Sequence, residues 1–216
     1  MRQTHDRKCF EPTLVSDLSA TERKKAQRAM LCLTEKRDRS IKGRTVCNGA
    51  PAREWLGQKE SASPAAAQES TMSLAVVDAR VCRDTVTSDV PNAFVQTTLD
   101  CNDGEDCITM KIAEVLVDTL LADNPDLCGG HVVCKNGKKV LHVIVLQAIC
   151  GMLISALLWH RKFRIDLEEN GFLFNPCDAR VANKTVDKKQ QAIRFHVDNV
   201  MSGHIDVGVH ESHGSL

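Results

Sequence analysis

The chain of 216 residues carries 28 Lys+Arg against 28 Asp+Glu, 43% hydrophobic residues, ten cysteines and no tyrosine. That length and apolar content suit one or two packed domains and exclude a disordered tail or a small disulfide-stapled fold. Zero net charge hides a segregation: residues 1–60 are net +6, residues 61–130 net −9 and residues 131–216 net +3, as in a protein that grips polyanions with one part and cations with another.

In chain order, residues 12–30 predict a charged helix with Leu14, Leu18 and Ala26 on a modest apolar face. Met30–Leu33 and Ile41–Val46 are β-prone runs around the polar turn Lys36–Ser40, a hairpin with basic residues at its tip. Residues 48–62 read as loop. Ser63-Pro64 supplies a capping hydroxyl and a proline at the first helical position, so a helix is expected over Ala65–Val81 with Leu74, Val77 and Val81 buried. Thr85–Val90 reads as a strand stopped by Pro91. An acidic loop, Asp100–Asp106, is followed by a strand over Ile108–Ile112 and a helix over Ala113–Ala122 that ends before Asn124-Pro125.

Asn136-Gly137 between β-rich runs is the strongest hairpin signal. Val140–Trp159 has no formal charge over a length near that of a bilayer core, yet His142, Gln147 and Ser155 interrupt it. It divides more naturally into a buried strand, Val140–Val145, and a helix over Met152–Leu167, with Gly171 as the residue after the helix end. Ala179–Val186 and Gln191–Val197 read as strands around Asp187–Gln190, and Asp198-Asn199 lies at a second turn. Strands and helices mixed without a βαβ rhythm predict an α+β fold.

Met1–Lys8 is polar and no apolar stretch follows, so no secretory signal is expected and the setting is intracellular, cytoplasm or else nucleus. The cysteines form no C-x-x-C pair. Cys128, His131 and Cys134, with Cys101 and Cys107 upstream, form the nearest approach to a zinc site, but the spacing departs from a standard knuckle.

Asp89 and Asp198 each close an apolar strand before a turn residue. Two carboxylates at neighbouring strand ends are the device that holds a pair of Mg²⁺ ions for in-line phosphoryl transfer. Ser88-Asp89-Val90-Pro91-Asn92-Ala93-Phe94, with Val95-Gln96, resembles the first catalytic motif of copia-type retrotransposon reverse transcriptases. His196-Val197-Asp198-Asn199-Val200 resembles the second, which carries two aspartates at a β-turn. Gln147–Gly151, Asn175–Lys184 and Ile41–Arg44 are similar to three further elements in the same order, so the resemblance covers about residues 30–205.

The resemblance implies a fingers-and-palm polymerase, with an antiparallel palm sheet packed on helices. It also implies a charged helical segment over 1–29 and a tail over 206–216. Asp89 and Asp198 would hold two Mg²⁺ ions, with the Val90 carbonyl as a further ligand. Phe94 would lie under the sugar and select deoxynucleoside triphosphates. Lys42 and Arg44 would pair with the triphosphate, and the template-primer, RNA or DNA, would run along basic residues near Lys36–Arg39 without sequence readout. No membrane partner is implied.

The departures are equally specific. Asn199 stands in place of the family's second aspartate, and an amide holds a hard cation less well than a carboxylate, so catalysis is expected to be weakened or lost. Met152–Ala156 replaces the usual Gln-Ala-Pro-Arg. Cys150 and Cys177, and Cys128 with them, stand where the family usually has tyrosine. The resemblance leaves no thumb, ribonuclease H or integrase region within these residues. The alternative is a non-catalytic nucleic-acid-binding remnant of a retroelement.

Overall fold

A computed structural model describes residues 7–99 and 107–211. The elements are β1 (Phe10–Thr13), α1 (Ala20–Lys25), β2 (Gln27–Glu35), β3 (Ile41–Asn48), α2 (Gln58–Ser61), α3 (Gln68–Arg80), β4 (Asp84–Asp89), β5 (Thr109–Ala113), α4 (Val115–Asp123) and α5 (Pro125–Cys128). They continue with β6 (Val133–Lys135), β7 (Lys138–Val145), α6 (Ser155–Glu169), β8 (Leu173–Asn175), β9 (Asp178–Val186), β10 (Lys189–His196), β11 (Asn199–His204) and α7 (Gly208–Glu211). The fold is α+β, with two sheets in two compact units. The expected acidic loop Asp100–Asp106 lies outside the described residues.

The first unit comprises Met1–Ser61 and Phe94–Ser155. Its sheet runs β1-β7-β5-β2-β3, with β6 also paired to β7. Only the β2–β5 pairing is parallel. The expected Asn136-Gly137 hairpin joins β6 to β7, both turn residues having positive φ (53° and 75°). β7 alternates as a half-buried strand must. Leu141, Val143 and Val145 are fully buried and meet Met110, Ile112, Val117 and Leu120 in the core. The helix expected over residues 12–30 is confined to Ala20–Lys25, where Ser19 and Glu22 form a reciprocal capping box. The rest of that stretch is a turn over residues 14–19 and strand beyond, because Phe10–Thr13 pair with β7 and Gln27-Arg28 with β5, and pairing in a sheet overrides a weak helical period.

The second unit comprises Ala62–Ala93 and Ala156–Leu216. Its five strands run β4-β11-β10-β9-β8, all antiparallel. α6 covers one face through stacked Trp159 and Phe163 (centroids 5.2 Å apart), Phe163 meeting Phe195 of β10 edge-on at 4.9 Å. Gly171 ends the helix as expected, at φ +83°, with Gly171 N–H on the Glu168 carbonyl and Phe172 N–H on that of Leu167. Residues 140–159 are thus a strand, a connection and the start of a helix, and no helix among the described residues is long and apolar enough to cross a membrane.

α3 differs from expectation at both its start and its buried face. It begins at Gln68, and Ser63 does not cap it. The Ser63 hydroxyl donates to the Ala156 carbonyl (3.1 Å) and accepts from Arg180 Nη2 (2.6 Å). The cap is tertiary: Asp178 Oδ2, from β9, accepts the Ala67 N–H at 3.1 Å. Val77 and Val81 are exposed and Leu74 half-buried; the helix's buried residue is Asp78. Asp78 pairs with Arg83 at 3.1 Å and lies over Gly203, where an added Cβ would come 2.9 Å from Asp78 Oδ2. A carboxylate packed on a glycine and neutralised by arginine leaves no room for the apolar face to turn inward.

In the first unit β3 meets the segment Gln147–Gly151 backbone to backbone. Cys47 N–H donates to the Cys150 carbonyl (2.8 Å) and Gly49 N–H to the Gly151 carbonyl (3.1 Å). A Cβ on Gly151, which has φ +93°, would lie 2.2 Å from the Cys47 carbonyl oxygen. Gly151→Ala is therefore expected to destabilise this unit by about 3 kcal/mol, read as a lower urea midpoint, whereas Gly130→Ala, with open space around its Cβ position, leaves the midpoint unchanged.

Candidate active site

β10 and β11 form a tight hairpin. His196 pairs with Asn199, so Val197 and Asp198 are the two turn residues. β11 pairs on its other side with β4, with Asn199 opposite Asp89. Beyond the end of β4 the Val90 N–H donates to the Asp198 carbonyl at 2.7 Å. Asp89, Val90, Asp198 and Asn199 therefore share one end of the sheet. Because side chains alternate along strands, the directly paired residues Asp89, Asn199 and His196 lie on one face. All three are exposed, and Asp198 is half-buried. A cavity of about 230 Å³ on this face is lined by residues that include Thr71, Thr87, Arg194, His196, Asn199 and Met201.

Oxygen donors dominate this end: two carboxylates, the amide of Asn199 and the carbonyl of Val90. Hard divalent cations take such ligands, so the donor chemistry fits Mg²⁺, with one negative charge fewer than three carboxylates would supply. Among the described residues no group of three or more His, Cys, Asp or Glu is placed to hold a metal. Asn199 has a partner of its own, since its Nδ2 donates to Asp198 Oδ1 at 3.3 Å.

The remaining residues singled out by sequence lie in the first unit. Lys42 and Arg44 are exposed on β3, two apart and so on one face, opposite Thr34 and Cys32 of β2. The hairpin tip is ordered by Asp38, whose Oδ1 accepts from the Ser40 hydroxyl (2.6 Å) and amide (3.0 Å). These bonds hold the Asp38 carboxyl below its ordinary value. Phe94 is half-buried in a short 3-10 turn, Ala93–Gln96.

Three groups not singled out as site residues support the acidic end. Trp159, 1% exposed, donates its indole N–H to the Val197 carbonyl at 2.7 Å. Arg180, also 1% exposed, donates from Nε to the Pro64 carbonyl (2.7 Å) and sits over the Phe195 ring. His160 stacks on Phe195 and donates from Nε2 to the Ala179 carbonyl at 3.2 Å. Arg180 follows Asp178 by two residues in a segment noted for other reasons, but nothing in a lone arginine signals that it is buried.

Cys128 is buried, His131 half-buried and Cys134 exposed, and Cys128 and Cys134 are free thiols. Cys101 lies outside the described residues. Burial pushes the Cys47 thiol up to about 12 and, outweighing the nearby Arg7 charge, that of Cys9 to about 11. A scan of protein-family models matches none of them, and no curated protein matches the chain.

Two measurements follow from these environments. Alkylation mapped by mass spectrometry labels exposed Cys32, Cys82, Cys134, Cys150 and Cys177 in the native protein, and labels Cys9, Cys47 and Cys128 only after unfolding. Burial, aided by the charges of Arg180, Arg164 and Arg161, holds His160 below its ordinary value despite the bond to Ala179. The unfolded state therefore takes up the proton first, and stability present above about pH 6.5 is lost as pH falls below it. His160→Phe flattens that acid-side slope in urea melts of the second unit.

Proposed function

We propose that this chain carries the fingers and palm of a copia-type retrotransposon reverse transcriptase, an RNA-directed DNA polymerase weakened by Asn199. The observation that carries this reading is the β4–β11–β10 register, with its bond from the Val90 N–H to the Asp198 carbonyl. It brings the two motif carboxylates, far apart in sequence, to one end of an antiparallel sheet. The covering of that sheet by α6 supports the palm assignment further.

On this reading Asp89, Asp198 and the Val90 carbonyl hold two Mg²⁺ ions, whose charge activates a primer 3′-hydroxyl and stabilises departing pyrophosphate. The protein's own residues do the rest. Lys42 and Arg44 pair with the triphosphate of the incoming deoxynucleotide, and Phe94 excludes a 2′-hydroxyl by its bulk. The basic hairpin tip follows the template-primer backbone by charge. Asn199 keeps the shape of the lost aspartate, but its amide nitrogen hydrogen-bonds Asp198 where a carboxylate would instead have added charge for the ions.

Primer extension on a homopolymer template with Mg²⁺ tests the proposal. Asn199→Asp is expected to raise the rate about 100-fold or more, and Asp89→Asn in that background to abolish it. Equal extension by the unsubstituted chain and Asn199→Asp refutes the weakening, and no extension by Asn199→Asp refutes the polymerase.

A second reading, a non-catalytic nucleic-acid-binding remnant, is favoured by the hydrogen bond that Asn199 already makes to Asp198 Oδ1 and by the net +6 of residues 1–60. It requires primer-template binding that weakens steeply with salt, is indifferent to Mg²⁺ and never leads to extension.

A further inference from the structure

The hairpin turn at Val197-Asp198 is built from the wrong kind of residue. Two-residue hairpin turns most often use positive φ, which Gly, Asn and Asp adopt at little cost and which is a genuine outlier for a β-branched side chain. Asn136-Gly137 and Asp187-Lys188 also have positive φ, whereas the Pro176-Cys177 turn between β8 and β9 has none. Val197 has φ +56°. Left to itself such a turn relaxes, and with it the backbone that carries Asp198.

Two outside hydrogen bonds hold it. The Val197 carbonyl accepts the Trp159 indole N–H, and the next carbonyl, that of Asp198, accepts the Val90 N–H, both at 2.7 Å. Successive peptides of the strained turn are thus pinned, one by a helix and one by the residue after Asp89. Trp159 is itself immobilised, being 1% exposed and stacked on Phe163, which in turn abuts Phe195 two residues before Val197. Indole has a single N–H donor, and here it is spent on the one carbonyl whose residue is strained.

We propose that Trp159 is the positioning residue of this turn, holding the strained Val197 peptide so that the Asp198 carboxylate stays in register with Asp89. Its relevance to catalysis rests on the polymerase reading, but the mechanical role does not.

Trp159→Phe keeps an aromatic ring against Phe163 and deletes the donor. Hydrogen exchange of the Val90 amide is expected to quicken about tenfold while the amides pairing β9 with β10 are unchanged, and affinity for Mn²⁺ alone, used as the probe, to fall about tenfold. Adding Val197→Gly, which removes the need for the pin, restores both. A folded Trp159→Phe chain with Val90 exchange unchanged overturns the proposal, as does a loss that Val197→Gly fails to rescue. Should Trp159→Phe not fold, the indole N–H of the unsubstituted chain decides. Protection of Trp159 comparable to that of Val90 supports the pin, and rapid exchange overturns it; the only other tryptophan, Trp55, is exposed. If the unsubstituted chain binds no Mn²⁺, the metal reading fails while the exchange data still decide the role of Trp159.

Discussion

The 2.7 Å hydrogen bond from the Val90 N–H to the Asp198 carbonyl is the contact on which the acidic end of the second sheet depends. β4 is an edge strand with every residue exposed, and little apolar burial holds it in place. Its location comes from the backbone ladder to β11, whose register sets Asp89 opposite Asn199. A one-residue slip of that ladder would send the Asp89 side chain to the opposite face. The bond just beyond the ladder, and the lock of Asp78 on Gly203 and Arg83 at the other end, resist such a slip.

Beneath this register lies a layer of buried aromatic and charged groups. Phe195 is at its centre, met by Phe163 edge-on, by His160 in a stack and by the Arg180 guanidinium at 5.1 Å from the ring centroid. Arg180 then reaches Pro64 and Ser63, while Asp178 accepts the Ala67 N–H and the Arg180 N–H. The desolvation that opposes charge on Asp178 is outweighed by these donors, with Ser70, so its carboxyl lies below its ordinary value. The segment that leads into α3 is therefore held by polar side chains of β9. This explains why the helix can leave Met72, Val76 and Val77 in solvent.

Much of the strand layout was legible in sequence because turn chemistry is local. Asn136-Gly137, the Lys36–Ser40 tip and Gly171 each stood where they were expected. The site pairing was legible only as two acids at strand ends, since β4 and β11 are separated by about a hundred residues and register is a property of the assembled sheet. What stayed hidden is non-local in origin. Asp178 replaces a proline-and-serine start for α3, Asp78 displaces an apolar face, and strand pairing claims the ends of a helix written into residues 12–30. Trp159 would have read as one more apolar residue of an amphipathic helix, because a periodic pattern records burial and not the partner of an indole N–H.

The same end of the sheet explains how Asn199 can be tolerated by the fold. Three carboxylates at adjacent strand ends repel one another unless a cation lies among them, and their mutual repulsion disfavours the paired register. Replacing one by an amide removes a charge and adds a donor, and that donor is used on Asp198 Oδ1. The hairpin is then relieved of repulsion at the point where Val197 already strains it. An amide at position 199, which on the proposed reading lowers affinity for a divalent cation, thus also lowers the hairpin's dependence on one. On the proposed polymerase reading, stability and catalysis pull position 199 in opposite directions, and the residue present satisfies the first.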